Sequence, residues 1–390
     1  MNSELPFAGL RVLDFGTVIA GPFAGALMAD MGAEVIKTEP PNAPDALRKM
    51  GRMKEGVPLW FGVSARDKQC LSLNLKEDEA KDILRKMIAQ SDVMIENYRP
   101  GVLERLGLGW EQLRQLNPNL IMLSISGFGQ TGPDSIRPGF GKIGEGMAGI
   151  VNMTGPGDDR PLFVGFSLAD TCAGLFGVFG VSVALYNRDV LKQGGTRIDV
   201  ALYEPLLRML EAQFIMHDRT GKPTQRRGSF DPYGWGQDPA ARPQFHGLRG
   251  KSGDWFLLRA DAATIGTILG TQPATRADAY KALAAWAVAL DDDALRQGAM
   301  AAGADIVPVL DGMGVGTSAY FQARGDILRT THPKAGTFSV PGPVYPRLAA
   351  NDGREIFRER EVGGDNEAVL TSLLGMSAAD VASLKSRGVI

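Results

Sequence analysis

Short apolar runs alternate with helical patterns through residues 1–200, and this alternation limits the possible folds more than any other feature of the sequence. Between two such runs, Ala80, Ile83, Leu84, Met87 and Ile88 follow the spacing of a helix with one apolar face. Strands joined by helices form a parallel sheet that is covered on both faces. The sequence therefore predicts an α/β fold. The predicted strands in this part are Arg11–Phe15, Glu34–Lys37, Cys70–Leu75, Val93–Glu96, Leu120–Ser126 and Thr196–Ala201.

The composition of the chain changes after a predicted helical block at Tyr203–Arg219. Residues 220–250 are rich in Gly, Pro, Arg and aromatic side chains and show no sustained period, which predicts a linker and a functional loop. A strand at Trp255–Arg259 and Ala-rich helices follow. A chain of 390 residues at roughly 100–200 residues per domain indicates two or three domains.

Composition excludes several classes of function. The 42 Lys and Arg nearly balance the 44 Asp and Glu, so we expect no nucleic-acid partner. Two cysteines and three widely spaced histidines predict neither disulfides nor a metal site. The charged residues near the N-terminus do not fit a signal peptide, which favours the cytoplasm. The uncharged run Thr171–Asn187 contains several glycines and is interpreted as a buried core helix, so we expect no membrane partner.

Two glycine patterns match the spacing of a dinucleotide site. One is Gly127–Gly132 and the other is Gly139–Gly144. A dinucleotide site needs glycines that follow a strand and open a helix. Pro133 and Pro138 break the first match, and no strand precedes the second, so we interpret both as coincidence in a glycine-rich chain.

Asp170 is the candidate residue for chemistry. It directly precedes the long apolar helix and is predicted to be its N-cap. A role as an ordinary helix cap is enough to explain the position of Asp170. The preceding segment Pro161–Ala169 is mostly apolar, however, and a partly desolvated carboxylate in such a place is also a plausible nucleophile toward a thioester. Position alone leaves both interpretations open.

Basic residues recur near the ends of the predicted strands. The simplest interpretation of any one of them is a solvated side chain at the surface. As a set at the carboxyl edge of a parallel sheet, they are suited to hold the phosphates of a nucleotide-bearing cofactor. They are Lys37, Arg66, Lys68, Lys76, Arg99 and Arg105.

Long segments of the sequence resemble the family III CoA-transferases, also called the CaiB/BaiF family. The similarity extends over nearly the whole chain, and ENYRPGVLERLGLG and SISGFGQTGP are its most specific parts. The other segments are LRVLDFGTVIAGPFAGALMADMGAEVIKTEPP (10–41), LSLNLK (71–76), GFSLADTCAGLFG (165–177), GGTRIDVALYE (194–204) and LLGMSAADVASLKSRGVI (373–390).

The resemblance implies a fold and an assembly. The large domain would be Rossmann-like and built from both chain ends, with a smaller α/β domain between them. We place the large domain at residues 1–225, the small domain at 226–328, and a linker with the C-terminal return at 329–390. Two subunits would form a homodimer of interlocked rings.

The resemblance also implies a chemistry. Asp170 would attack an acyl-CoA, form a mixed anhydride and then an aspartyl-CoA thioester, and pass CoA to a carboxylic acid. Acyl-CoA is then a substrate, and no permanently bound cofactor or metal is expected. By position, the CoA contacts would be Thr17, Val18, Ile19, Ala20, Lys37, Lys76, Asn97, Tyr98 and Arg105.

The chain departs from the family pattern in the expected substrate pocket, which we assign to Phe140, Gly141, Tyr233 and Trp235. The motif usually written PGYD or PGYE reads Pro138–Gly141 here and lacks its tyrosine and its carboxylate. The racemase branch has a histidine where Phe140 stands, and Phe140 cannot move a proton. A CoA-transferase is therefore predicted. The alternatives are an acyl-CoA racemase or isomerase and a CoA-binding homologue without activity.

Overall fold

A computed structural model describes residues 5–157, 159–222, 226, 244–344 and 355–390. The strands are β1 (Arg11–Asp14), β2 (Glu34–Glu39), β3 (Met53–Lys54), β4 (Val57–Pro58), β5 (Lys68–Ser72), β6 (Val93–Glu96), β7 (Ile121–Ser126), β8 (Arg197–Ala201), β9 (Gln244–Arg249), β10 (Trp255–Ala260), β11 (Asp305–Pro308), β12 (Ile327–His332) and β13 (Gly336–Pro341). The helices, besides a 3₁₀ turn at Ala46–Lys49, are α1 (Ala20–Asp30), α2 (Leu59–Ser64), α3 (Asp78–Ile88), α4 (Val102–Arg105), α5 (Trp110–Leu116), α6 (Gly141–Met147), α7 (Ile150–Met153), α8 (Leu168–Asp189), α9 (Glu204–Met209), α10 (Glu211–Thr220), α11 (Ala262–Leu269), α12 (Arg276–Val288), α13 (Asp292–Ala301), α14 (Gly312–Thr317), α15 (Ala319–Arg324), α16 (Asn366–Leu374) and α17 (Ala378–Ser386).

The chain divides into two compact units. The first comprises Met1–Val151, Phe163–Pro223 and Tyr320–Ile390, and the second comprises Asn152–Leu162 and Thr224–Ala319. The domain boundaries given above, at residues 225 and 328, stay predictions.

A six-stranded parallel sheet forms the centre of the first unit, in the order β5-β2-β1-β6-β7-β8. Counted along the chain among these six, the order is 3-2-1-4-5-6, which is that of the Rossmann fold. The order reverses between β1 and β6. In sheets of this kind the crevice for a ligand lies at such a reversal, outside the carboxyl ends of the strands. The α/β fold with a large parallel sheet that the sequence predicted is confirmed.

Helices cover both faces of this sheet because the strands are apolar on both sides. Val12, Val35 and Ile121 pack with α1 and α8 on one face. Leu13 and Ile36 pack with α3, α16 and α17 on the other. Alternate residues of a strand point to opposite faces, so each strand supplies both cores.

The C-terminal segment is tied to the edge strand β5 by side chains that cap backbone groups. The Cys70 backbone N–H donates to the Asp365 carboxylate over 2.8 Å, and that of Ser72 donates to the Asn366 side chain over 2.8 Å. Arg358 pairs with Asp365 at 3.0 Å. These contacts use the donors of an otherwise open sheet edge.

The second unit has a core of its own. Its antiparallel sheet has the order β11-β10-β9. Leu248, Phe256 and Leu258 of the sheet pack against Leu283 and Leu295 of the helices.

The structure corrects three local predictions. The long helix begins at Leu168 and its N-cap is Ser167, so Asp170 lies inside the first turn and is not the cap. The block Tyr203–Arg219 is two helices, because the chain turns at Leu210. The segment 220–250, interpreted as linker and loop, ends in β9.

Among the described residues, α8 is the one helix long and apolar enough to cross a membrane, with a mean hydropathy of 1.7 in its most apolar part. One face of it packs in the core of the first unit, however, while other residues of the helix are exposed. Gly174 and Gly177 bring it against α1 and β7, where a Cβ would lie 2.9 Å from the Ala20 carbonyl oxygen and 2.8 Å from Leu123. The glycines therefore serve close packing, as expected of a core helix.

Candidate active site

The loop between β1 and α1 lies at the switch point and is held from several sides. The Thr17 backbone N–H donates to Asn97 Oδ1 over 2.7 Å, and Asn97 Nδ2 donates back to the Thr17 carbonyl over 2.8 Å. The Val18 N–H donates to Asp45 Oδ1 over 2.8 Å. Val18 has φ +64°, a left-handed conformation that costs energy in a β-branched residue and persists only where the surroundings impose it. The loop is thus preformed.

Lys37 and Lys68 lie beneath this loop and are almost fully enclosed, with 2% and 1% of their surface exposed. Lys37 donates to the Gly16 carbonyl and pairs with Asp45 at 3.1 Å. Burial by itself would lower the pKa of Lys37, but Asp14 and Asp45 outweigh it, and the pKa is raised. Lys37 therefore remains charged and anchors the loop. Its predicted contact with CoA stays a prediction.

The other predicted CoA contacts follow the carboxyl ends of β1, β5 and β6. Ile19 and Ala20 lead into α1, and Asn97 and Tyr98 come directly after β6. Two cations, Lys76 after β5 and Arg105 at the end of α4, are exposed. An anionic ligand at this edge would thus meet a fixed loop and exposed cations within one region.

Glu96, which the sequence analysis did not single out, ends β6 beside this loop. It is 2% exposed, and Oε2 accepts from the Tyr98 backbone N–H over 2.9 Å. Burial raises the pKa of Glu96 to about 7, against the effect of hydrogen bonds from Ser124 and Tyr98. Nothing in the sequence indicated this shift at the last residue of the strand, because the burial of Glu96 depends on side chains distant in sequence.

Asp170 lies in the first turn of α8, next to the start of α1. Gly174, one turn further along α8, contacts the Ala20 carbonyl and Phe23. The nucleophile candidate and the β1–α1 loop are therefore brought to the same edge of the sheet. In the described ranges, no other residue donates a hydrogen bond to the Asp170 carboxylate. A carboxylate with free lone pairs is available for attack on an electrophile.

Gly141 leaves the space that the Asp170 side chain fills. A Cβ placed on Gly141 would overlap with Asp170 Oδ2 and lie 2.9 Å from its Cγ. Gly141 is buried at the start of α6, while its neighbour Phe140 is 68% exposed. The structure thus places Gly141 against Asp170, and the assignment of Phe140 and Gly141 to the substrate pocket stays a prediction. Tyr233 and Trp235 lie outside the described residues.

An ion pair that the sequence analysis missed stands beside Asp170, with Glu145 buried and Lys142 41% exposed. Glu145 is fully enclosed, and its carboxylate accepts from Lys142 Nζ at 2.8 and 3.0 Å. Burial and then the charge of Glu145 raise the pKa of Asp170 to about 6, although Lys142 acts in the opposite direction. The signal available in the sequence was spacing, because residues 141 and 145 share a helix face.

The family model described as CoA-transferase family III matches residues 7–365. The chain belongs to CoA-transferase family III.

Family III relatives with named activities match over the whole length. The chain is 35% identical, over 99% of its length and 98% of the relative's, to a succinyl-CoA–D-citramalate CoA-transferase of Chloroflexus aurantiacus. It is 32% identical, over 100% and 99%, to the beta subunit of a succinyl-CoA–L-malate CoA-transferase of the same organism. A crystal structure of a CaiB/BaiF family protein from Brucella suis superposes with a TM-score of 0.82 at 27% identity, covering 95% of this chain and all of that one. This family III chain is therefore an enzyme of the CoA-transferase type.

Proposed function

We propose that this family III protein transfers CoA from an acyl-CoA to a carboxylic acid through a covalent intermediate on Asp170. The observation that carries the proposal is the Asp170 carboxylate, to which no other described residue donates, at the edge of the sheet where the β1–α1 loop lies. The loop and the residues after β6 would bind CoA, and Asp170 would receive the acyl group. The reaction needs no metal or redox cofactor.

The proposed reaction proceeds in four balanced steps. The Asp170 carboxylate attacks the thioester carbonyl, the C–S bond breaks, and CoA leaves as a thiolate while a mixed anhydride forms. The thiolate attacks the aspartyl carbonyl of the anhydride and releases the donor acid. The acceptor carboxylate then attacks the aspartyl-CoA thioester and displaces the thiolate again. Finally, the thiolate attacks the acceptor acyl carbon and restores the Asp170 carboxylate.

The raised pKa of Asp170, about 6, suits a nucleophile. At neutral pH such a carboxyl is still mostly ionised, yet it is more basic than an ordinary aspartate and so attacks a thioester more readily. Burial also destabilises the Asp170 carboxylate as an anion, and conversion to the neutral anhydride or thioester removes this destabilisation.

The substrates we propose are short dicarboxylates. The two relatives from Chloroflexus aurantiacus are named for succinyl-CoA with D-citramalate and with L-malate. The test is a matrix of acyl-CoA donors, with succinyl-CoA among them, against mono- and dicarboxylic acids, each new thioester being read by mass spectrometry. Formation of a new acyl-CoA from a dicarboxylate is the expected result. No new thioester from any pair would contradict the proposal.

A racemase would differ from a CoA-transferase in the exchange of the substrate's α-proton. Racemisation at an α-carbon needs two groups that exchange protons on opposite sides of it. Phe140 and Gly141 supply none, and the Glu145 carboxylate is engaged by Lys142. Incubation of a 2-methylacyl-CoA in D₂O should leave the α-proton in place, and deuterium uptake at the rate of turnover would favour the racemase.

We further propose that the enzyme is a cytoplasmic homodimer. An apolar stripe supports the homodimer: Leu175, Phe179, Val183 and Tyr186 of α8 are 45–67% exposed and follow one another at three- and four-residue steps, which places them on one helix face. Such a stripe rarely faces water in a monomer. A second copy of this chain, as the interlocked rings of the resemblance imply, would bury it.

Phe179→Glu should therefore weaken the dimer, because a charge on the stripe would have to be buried at the interface. Light scattering at micromolar concentration should give a dimer for the parent and a monomer or aggregates for the variant. Leu116→Glu is the matched control, since Leu116 is 43% exposed on α5, whose helix packs on the opposite face of the sheet. A dimeric Phe179→Glu protein with unchanged stability would contradict this assignment of the interface.

A further inference from the structure

We propose that Lys142 and Glu145 form a positioning pair for Asp170, in which Glu145 keeps a fixed negative charge beside the nucleophile and Lys142 holds both that charge and the chain segment entering α8. The inference rests on the proposed role of Asp170. It assigns a function to two residues that the family pattern quoted above does not include.

The contacts of Lys142 show how the segment is held. Its ammonium donates to the Val164 carbonyl over 2.8 Å and to the Phe166 carbonyl over 2.7 Å, besides its bonds to Glu145. A lysine has three donor hydrogens, so these contacts use them all. The two carbonyls lie just before Ser167, the N-cap of α8. Lys142 therefore fixes the start of the helix that carries Asp170.

Glu145 is buried on the face of α6 that meets Asp170. Gly141 faces Asp170 directly, and Glu145 is one helical turn further along the same face of α6. The PGYD or PGYE pattern has an acidic residue at the position of Gly141. Here Gly141 has no side chain, the Asp170 carboxylate fills the space, and the nearby negative charge comes from Glu145, which is buried and paired with Lys142.

No other charged group competes for this role in the described part of the chain. The elements that pack on α8 are α1, α6, α9, β7 and β8. Their other charged side chains are engaged elsewhere: Asp30 with Arg66, Arg197 with Ser124 and Glu96, Asp199 with the Gln130 N–H, Glu204 with the Ala201 N–H, and Arg208 with Glu211. Glu145 and Lys142 are the charges that act on Asp170.

The pair predicts a change in pH dependence. Asp170 must be ionised to attack, so kcat/KM for the acyl-CoA should fall on the acid side near pH 6 in the parent. Glu145→Gln removes the negative charge and leaves Lys142 as a net cation. The pKa of Asp170 then drops, and the acid limb should move to lower pH by about one unit.

The control is Glu145→Asp, which keeps the charge and should keep the limb within about 0.3 unit of the parent. Should Glu145→Gln not fold, the double variant Lys142→Met with Glu145→Met removes both charges, so that neither is left without its partner. The acid limb of this double variant should also move to lower pH, but by less than in Glu145→Gln, because Glu145 affects the pKa of Asp170 more than Lys142 does. The profile should be measured across about pH 5 to 9 with one donor and one acceptor throughout.

If the pair were merely structural, Glu145→Gln would lower the rate at every pH and leave the acid limb at its parent position. That result would overturn the proposal. The proposal on Asp170 itself fails in another way, through an Asp170→Ala protein that still transfers CoA. An inactive Asp170→Ala protein together with an unmoved limb in Glu145→Gln would refute the pair alone.

Discussion

Asp170→Ala protein should bind CoA as the parent does and transfer it at least about a thousandfold more slowly. The substitution removes the attacking carboxylate, while the β1–α1 loop keeps its bonds to Asn97 and Asp45. CoA affinity by calorimetry and kcat for transfer give the two quantities separately. Transfer within about tenfold of the parent, a barrier change of only ~1.4 kcal/mol, would contradict the assignment.

The matched control is Asp189→Ala, at the other end of the same helix. Asp189 is exposed and pairs with its neighbour Arg188 at 2.7 Å. Arg188 keeps its other partner, Asp92 at 3.0 Å, so both kcat and the melting temperature should stay near those of the parent. The comparison separates the loss of a nucleophile from the loss of any carboxylate on α8.

Gly141→Ala should lower kcat by at least about a hundredfold without lowering stability. The new Cβ would occupy the position of Asp170 Oδ2, and the aspartate is the partner that can rotate away. Gly141 has no positive φ, and alanine in a helix is favoured over glycine by up to about 1 kcal/mol. The fold should therefore accept the change, while the nucleophile loses its position.

Gly146→Ala is the control for this prediction because it lies in the same helix, with nothing within 4 Å of its Cβ position and no positive φ. It should keep full activity and match or exceed the parent in melting temperature. A Gly141→Ala protein that is as active as Gly146→Ala would show that the position of the Asp170 carboxylate seen here is not the reactive one.

The sequence predicted the central sheet because its strands carry continuous apolar runs, which do not depend on distant partners. β6 was predicted with its observed bounds, and β1, β2, β7 and β8 to within two residues at each end. β9 was not predicted, because it lies at the end of a stretch without period. The position of Asp170 in the chain favoured a cap, whereas the helix extends back to Leu168, where Ser167 takes that place.

The parts of the site that could not be predicted are those that depend on contacts of buried charged residues with residues distant in the sequence. Asp45 bonds to the Val18 N–H and pairs with Lys37, and nothing in its local sequence distinguishes it from a surface residue. The enclosure of Lys37 beneath the loop was also not indicated by its local sequence. Glu145 likewise gains its role only from the packing of α6 on α8. Tertiary contacts, rather than local propensity, decide such cases.

The most direct measurement of the central claim is trapping of the intermediate. The enzyme is mixed with an acyl-CoA donor without acceptor, treated with hydroxylamine and digested, and its peptides are sequenced by mass spectrometry. Hydroxylamine attacks the aspartyl carbonyl of the anhydride or thioester and leaves a hydroxamate. The account predicts this hydroxamate on Asp170, in amounts that rise with the donor. Full turnover of the same preparation with Asp170 unmodified would contradict it.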